Sequence, residues 1–246
     1  MLAGAGAGFF GGLFGVGGGA ILVPLLTQAL RFTQVEAHAT SLTVTLFTAL
    51  AAGAVYAAHG NVSWSTGIII GIGSAIGAPF GARLAHRISG VALQRAFAVF
   101  LLLTAVRMFW APVGGPAVVA GIARVVVELL IGLGAGVAAG FMGIGGGMVV
   151  VPASTMLLGM TQQLAQGTSL LSILGAAPSG TIAHARRGAV RFRWVPWLAL
   201  GAVVAGPCVS WFVQRIPREL LTRCFAVFLV ANAVHTAWRS RAPRPA

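Results

Sequence analysis

The sequence predicts an all-α, polytopic membrane protein made of two similar halves. Three observations predict it. The first is composition: 58% of the 246 residues are hydrophobic and only 8% are charged, with a mean hydropathy of +0.94. A soluble domain carries about 25% charged residues. The second is that apolar runs of roughly 20 residues, long enough for a hydrocarbon core of about 30 Å, recur along the chain. The third is a glycine-rich stretch that occurs twice, beginning at Gly12 and again at Gly140. Gly12-Leu13-Phe14-Gly15-Val16-Gly17-Gly18-Gly19 runs on to Val23-Pro24, and Gly140-Phe141-Met142-Gly143-Ile144-Gly145-Gly146-Gly147 runs on to Val151-Pro152. The match continues without a gap through Thr33-Gln34 against Thr161-Gln162 and Thr40-Ser41-Leu42 against Thr168-Ser169-Leu170. In all, 25 of the first 62 positions are identical to their counterparts at this constant offset. Two pseudo-symmetric halves, each with an interrupted helix near its start, are a common plan for membrane transporters.

About eight hydrophobic segments follow in order. Full spans are expected at about 38–58, 64–85, 91–110, 119–142, 165–185, 194–214 and 220–238. Runs 1–30 and 119–159 are broken at their triple glycines, since each glycine in a helix costs about 1 kcal/mol against alanine. Short second helices are expected at 20–30 and 148–159. At 1.5 Å per residue each reaches only about 17 Å, half of a hydrocarbon core. Residues 111–118, Ala-Pro-Val-Gly-Gly-Pro-Ala-Val, read as a linker between a first repeat (1–110) and a second (119–246). The segment 117–128, which precedes the equivalent stretch of the second half, has no counterpart in the first. Either the first helix is short or the start lies upstream.

Each broken segment can pass through the membrane once, or dip in and return to the same side. Arginine placement chooses between them. With a returning segment the halves are inverted, and 11 of the 16 arginines share the side of both termini. With a straight passage the halves are parallel and the split is nine to seven. The positive-inside rule therefore favours inverted halves, with both termini cytoplasmic. A reporter fused at Ser89 tests this, because inversion makes that position cytoplasmic.

All sixteen basic residues are arginines, and the only acids are Glu36, Glu128 and Glu219. In a soluble protein a net charge of +13 would suggest nucleic acid. Here the arginines punctuate apolar runs, where they hold loops at the cytoplasmic face against anionic lipid. No nucleic-acid partner is expected. Cys208 and Cys224 have no metal spacing and read as inert packing residues. Trp64, Trp110, Trp194 and Trp238 fall near span ends, as an interfacial aromatic belt requires. There is no paired carboxylate, metal-ligand spacing or nucleophile elbow, so neither an enzyme nor a metal or other cofactor is expected.

The glycine breaks are the first candidate site. A helix that starts after a break presents unpaired N–H groups and the positive end of its dipole, which together suit an anion. The residues concerned are Gly17, Gly18, Gly19 and Gly145, Gly146, Gly147; close packing through small residues is the alternative. A polar stripe is the second candidate. Gln34, His38, Ser41, Thr45 and Thr48 share one helical face, and the matching helix carries Gln162, Gln166 and Ser169, with Thr168, Ser172 and Ser179 beside them. Such uncharged groups suit a small oxyanion that must bind and leave, or else act as interhelical glue. The repeated pairs Thr40-Ser41 and Thr168-Ser169 are the strongest candidates. Thr33-x-x-Glu36 is a capping box. Glu128 follows Arg124 by four residues and reads as an ion pair, with proton coupling as the alternative. His38, on the stripe, is the better proton candidate. Histidines 59, 86, 184 and 235 read as interfacial.

The doubled Gly-x-Gly-Gly-Gly-x-x-x-Val-Pro, followed each time by Ala-x-x-Thr-Ser-Leu and then by the Gly-x-Val after the next span, resembles the sulfite exporter TauE/SafE family over nearly the whole chain. The resemblance implies a bacterial inner-membrane transporter for sulfur-containing anions such as sulfite, sulfoacetate or related organosulfonates. It carries over to Gly17, Gly18, Gly19, Pro24, Thr40 and Ser41, and to Gly145, Gly146, Gly147, Pro152, Thr168 and Ser169. His38 stands where the second half has Gln166, so the two half-sites are not strict copies. The expected partners are a small anion and the lipid bilayer. An anion channel and a non-transporting membrane scaffold are the rival readings.

Overall fold

The computed structural model describes residues 1–87, 91–110, 115 and 117–239. Ser89, and residues 111–114 and 116 of the expected linker, lie outside the described residues. Ten helices and no strand are found among the described residues. They are α1 (Leu2–Phe14), α2 (Gly19–Ala29), α3 (Gln34–Ala58), α4 (Trp64–Arg87), α5 (Val91–Trp110), α6 (Gly121–Met142), α7 (Gly147–Leu157), α8 (Gln162–Ala185), α9 (Val195–Val213) and α10 (Arg218–Arg239). Both expected breaks are present, so each interrupted segment forms two helices. Gly19 and Gly147 are the first residues of α2 and α7, one residue earlier than expected, because the glycines before them supply the reversal. At Gly17, Gly18, Gly145 and Gly146 φ is 73°, 83°, 80° and 84°, a left-handed region that side chains with a Cβ rarely adopt. With 13 residues, α1 is much shorter than the 22-residue α6 at the corresponding place.

Among the described residues, α3, α4, α6, α9 and α10 are long and apolar enough to cross a bilayer. Their burial pattern is that of a chain dissolved in lipid. Ile68, Ile72, Ile76 and Phe80 form an exposed apolar ridge on α4, spaced one turn apart on one face. The polar residues lie inside: Thr40, Ser41, Thr45, Gln166, Thr168 and Ser169 are completely buried. Trp64, Trp110, Trp194 and Trp238 are exposed at or beside helix ends. Cys208 and Cys224 are free and exposed rather than packed inside.

Contacts between the halves come in matched pairs that keep the offset of the repeat. Gly4, Gly8 and Gly12 of α1 press on the backbone of Leu198, Ala202 and Gly206 of α9, where an added Cβ would overlap each carbonyl. Gly132, Gly136 and Gly140 of α6 press in the same way on Ile70, Ser74 and Ala78 of α4. In both pairs the numbering rises together, so α1 runs parallel to α9 and α6 parallel to α4. Small residues allow this backbone-to-backbone approach, where each close contact gains dispersion energy and no side chain intervenes. By contrast, α3 and α8 are antiparallel. The Thr43 and Thr181 hydroxyls are 3.3 Å apart near one end, and Gly53 faces Leu170 near the other. The return of α2 is also visible: Gly18 packs on the Ala7 carbonyl in the middle of α1, and the buried cluster around Leu22, Val23 and Leu26 takes in Ala7 and Ala3. The chain has therefore doubled back along α1 rather than continued its line.

Candidate functional site

The two breaks meet between α3 and α8. Gly17 and Gly145 both abut the Thr45 methyl and Ile173 Cδ1. Gly19 lies against the Gly143 carbonyl and Ile144, and Gly147 against the Gly15 carbonyl and Val16. The six glycines predicted as a site thus converge. Each new helix begins at this junction. The Ile21 and Leu22 amides make the first bonds of α2, to the Gly18 carbonyl, and Val149 and Val150 do the same for α7 at Gly146. The amides of Gly19, Ala20, Gly147 and Met148 precede those bonds and belong to the helix starts. Each start carries roughly half a positive charge. Two of them approach each other in a buried, low-dielectric setting, and an anion between them would relieve their repulsion.

The Thr-Ser pairs hold this junction together. The Ser41 hydroxyl donates to the Gly143 carbonyl at 3.0 Å, and the Ser169 hydroxyl donates to the Gly15 carbonyl at 2.8 Å. Both accepting glycines end the helix before a break and belong to the other half. Thr40 and Thr168 act one position earlier. Their hydroxyls accept from the backbone N–H of Arg191 and Ser63, at 3.1 Å and 3.0 Å, and so anchor the loops before α9 and α4. All four hydroxyls engage backbone across the two halves. The rest of the first stripe turns inward on itself: Thr45 and Thr48 donate to their own helix at Ser41 and Val44. Gln34 is exposed, while its counterpart Gln162 is buried.

The buried amides are less satisfied. One polar atom of the Gln166 amide lies 3.0 Å from the Tyr56 hydroxyl, and its other polar atom is buried without a partner. Gln162, one turn earlier on the same face, has neither amide atom paired. Buried polar atoms are nearly always bonded, so these amides stand out among the described residues. His38 occupies the position equivalent to Gln166, with its backbone against Gly143 as that of Gln166 is against Gly15. Glu128 forms an ion pair with Arg124 at 3.0 Å and accepts from the Thr66 hydroxyl at 2.9 Å, away from the breaks. The Thr33–Glu36 capping box is formed, and Glu36 also pairs with Arg191.

Sequence reasoning missed two residues that cap carbonyls of the helices leading into the breaks. Tyr56, the single tyrosine of the chain, is fully buried and donates to the Gly12 carbonyl at 2.9 Å. It lies five full turns beyond His38 and therefore on the same stripe, a signal that was available. His184 is not interfacial. It is fully buried, with Nε2 2.8 Å from the Gly140 carbonyl. Helix-end position says nothing about burial when a neighbouring helix covers that end.

An inside-out burial pattern, several bilayer-length helices and two opposed helix breaks define a multi-pass membrane protein. The model for "Sulfite exporter TauE/SafE" matches residues 1–108 and 127–246, and the chain belongs to that family. A "Probable membrane transporter protein" of Xylella fastidiosa (strain Temecula1) is 27% identical over 241 residues, covering 95% of this chain and 92% of its own. The "Probable membrane transporter protein YunE" of Bacillus subtilis is 29% identical over 253 residues, covering 91% and 89%. No solved structure matches the chain.

Proposed function

We propose that this protein is a secondary transporter for a small sulfur-containing anion of the sulfite, sulfoacetate or organosulfonate class, working by alternating access. The observation that carries the reading is the meeting of two helix starts from different halves at one buried point. Their amides would hold the anion's charge, and Gln162 and Gln166, with the Thr-Ser pairs beside them, would orient it. The two repeats, 1–110 and 119–246, would lie inverted across the inner membrane with both termini cytoplasmic. The antiparallel packing of α3 on α8 supports inversion, since a two-fold relation between antiparallel neighbours has its axis across the helices. The doubling back of α2 along α1 supports it as well.

Inversion gives the two serine bonds opposite duties. Ser41 and Ser169 lie two turns into α3 and α8, towards opposite ends of the crossing. Opening towards one face would break the Ser41–Gly143 bond and keep Ser169–Gly15, and opening towards the other would do the reverse. Each such bond contributes about 1 kcal/mol, little enough for thermal exchange between the two. The test is counterflow of radiolabelled sulfite in proteoliposomes, with sulfate, thiosulfate, sulfoacetate and chloride as competitors. Saturable exchange competed by one anion class is expected. Flux without saturation or counterflow would indicate a channel, and no flux through folded protein would indicate a scaffold.

A further inference from the structure

We propose that His86 and His184 form a proton-transfer pair that joins one face of the protein to the second helix break and couples anion movement to protons. The inference rests on the carrier reading above. His86, in the last turn of α4, is exposed. Its Nε2 lies 3.2 Å from Nδ1 of His184, in the last turn of α8, and the ring centroids are 5.3 Å apart. The far side of His184 reaches the Gly140 carbonyl, three residues before the left-handed Gly143 that opens the break.

The protonation pattern follows from these contacts. A carbonyl only accepts, so His184 Nε2 carries a proton and donates it to Gly140. In a neutral ring Nδ1 is then an acceptor, so His86 must donate from its Nε2. That leaves His86 Nδ1 as a lone pair on the exposed side. A proton arriving there makes His86 an imidazolium. Passing its Nε2 proton to His184 Nδ1 returns His86 to neutral and charges His184. Releasing the Nε2 proton of His184 to a base in the break, a water or an oxyanion, returns that ring to neutral. Each transfer breaks one N–H or O–H bond as it makes another, and ring reorientation resets the pair. The neighbouring groups are few: α4 supplies His86, α6 supplies the Gly140 carbonyl, α3 brings His38 to Gly143, and the turn after α8 supplies Arg187, whose charge acts on both rings.

The other half shows that the carbonyl does not itself require histidine. At the places equivalent to His184 and His86 stand Tyr56 and Gln214. Tyr56 donates to Gly12, the counterpart of Gly140, and Gln214 bonds Asn61 and the Ser210 carbonyl. Neither side chain changes charge near neutral pH. The same backbone need is therefore met twice, once with groups that cannot carry a proton and once with a pair that can.

The test substitutes what the other half already uses: H86Q, H184Y and the double variant. Sulfoacetate, ionised throughout the working range, is offered to proteoliposomes holding a lumenal pH dye. In the wild-type protein anion uptake should shift lumenal pH. In the double variant sulfoacetate exchange should persist, while the coupled pH change falls about tenfold or more. A coupled pH change that survives in the double variant overturns the proposal. If H184Y does not fold, H86Q alone is decisive, because its side chain is exposed. A second readout needs no substrate. In nitrogen-15 histidine-labelled protein in nanodiscs, both rings should be Nε2–H tautomers and titrate as a coupled pair. Rings that titrate independently, or not at all, overturn the pair. Absence of any sulfite or sulfoacetate exchange by the wild-type protein would instead remove the carrier reading.

Discussion

The two break poles have nearly the same backbone and different chemistry. At one pole Tyr56 caps the Gly12 carbonyl and steadies the Gln166 amide; at the other His184 caps the Gly140 carbonyl and contacts His86. Glycine contacts, serine clamps and threonine anchors recur at both with the same offset. What recurs is what the backbone dictates: a carbonyl left open by a helix end needs a donor, and two chains in van der Waals contact need glycine. The identity of the donor is free, and there the poles part.

Several changes would break or sharpen this comparison. The largest effect is expected where both poles depend on backbone alone. Gly18→Val and Gly146→Val each place a branched side chain at positive φ and against the carbonyl of Ala7 or Ala135, at a combined cost of about 4 kcal/mol or more. Both should abolish a monodisperse peak in detergent chromatography, and survival of one alone would show that the poles are not mechanically equivalent. Next are the serine clamps. Ser41→Ala with Ser169→Ala should reduce anion exchange by about tenfold or more while the protein remains folded, since two cross-half bonds of about 1 kcal/mol each are lost and two carbonyls are stranded. Unchanged exchange would sink the site assignment. The single variants should shift apparent affinity in opposite directions for anion presented from the two faces.

Smaller effects separate the donors. Tyr56→Phe removes the hydroxyl that contacts both Gly12 and Gln166, leaving Gly12 the longer Ser210 bond of 3.4 Å, and should lower thermal stability by about 1–3 kcal/mol. His184→Tyr should cost less, because a donor to Gly140 is kept; a larger loss would mean that His184 is chiefly structural. The smallest effect concerns the starts of α3 and α8. Thr33→Ala removes a formed capping box and should cost about 1 kcal/mol, read as a lower unfolding midpoint with transport unchanged. Thr161→Ala should cost close to nothing, because the Thr161 side chain makes no cap bond.

Much of the architecture was legible in the sequence for local reasons. Triple glycines and period-3.6 polarity act within a few residues, so the breaks, the capped start of α3 at Thr33 and the polar face of α8 could be read directly. The convergence of the six glycines could be expected from the repeat, because two breaks in corresponding places of paired halves face each other. The partners of the hydroxyls could not. Ser41 bonds a carbonyl 102 residues away and Ser169 one 154 residues away, and sequence spacing holds no record of such distances. Whether a histidine near a helix end is wet, as His59 is, or sealed, as His184 is, depends on which helix lies over it. For His184 the cover includes α6, which supplies its carbonyl acceptor.

The parallel pairing of α1 with α9 also bears on how the protein is made. Gly4, Gly8 and Gly12 leave the ribosome long before the α9 backbone they rest on. Until α9 is synthesised, the face of α1 that carries Gly4, Gly8 and Gly12 has no helix backbone to rest on. That face must therefore wait, shielded by lipid or by an insertion factor, and this contact closes only when the last third of the sequence is made.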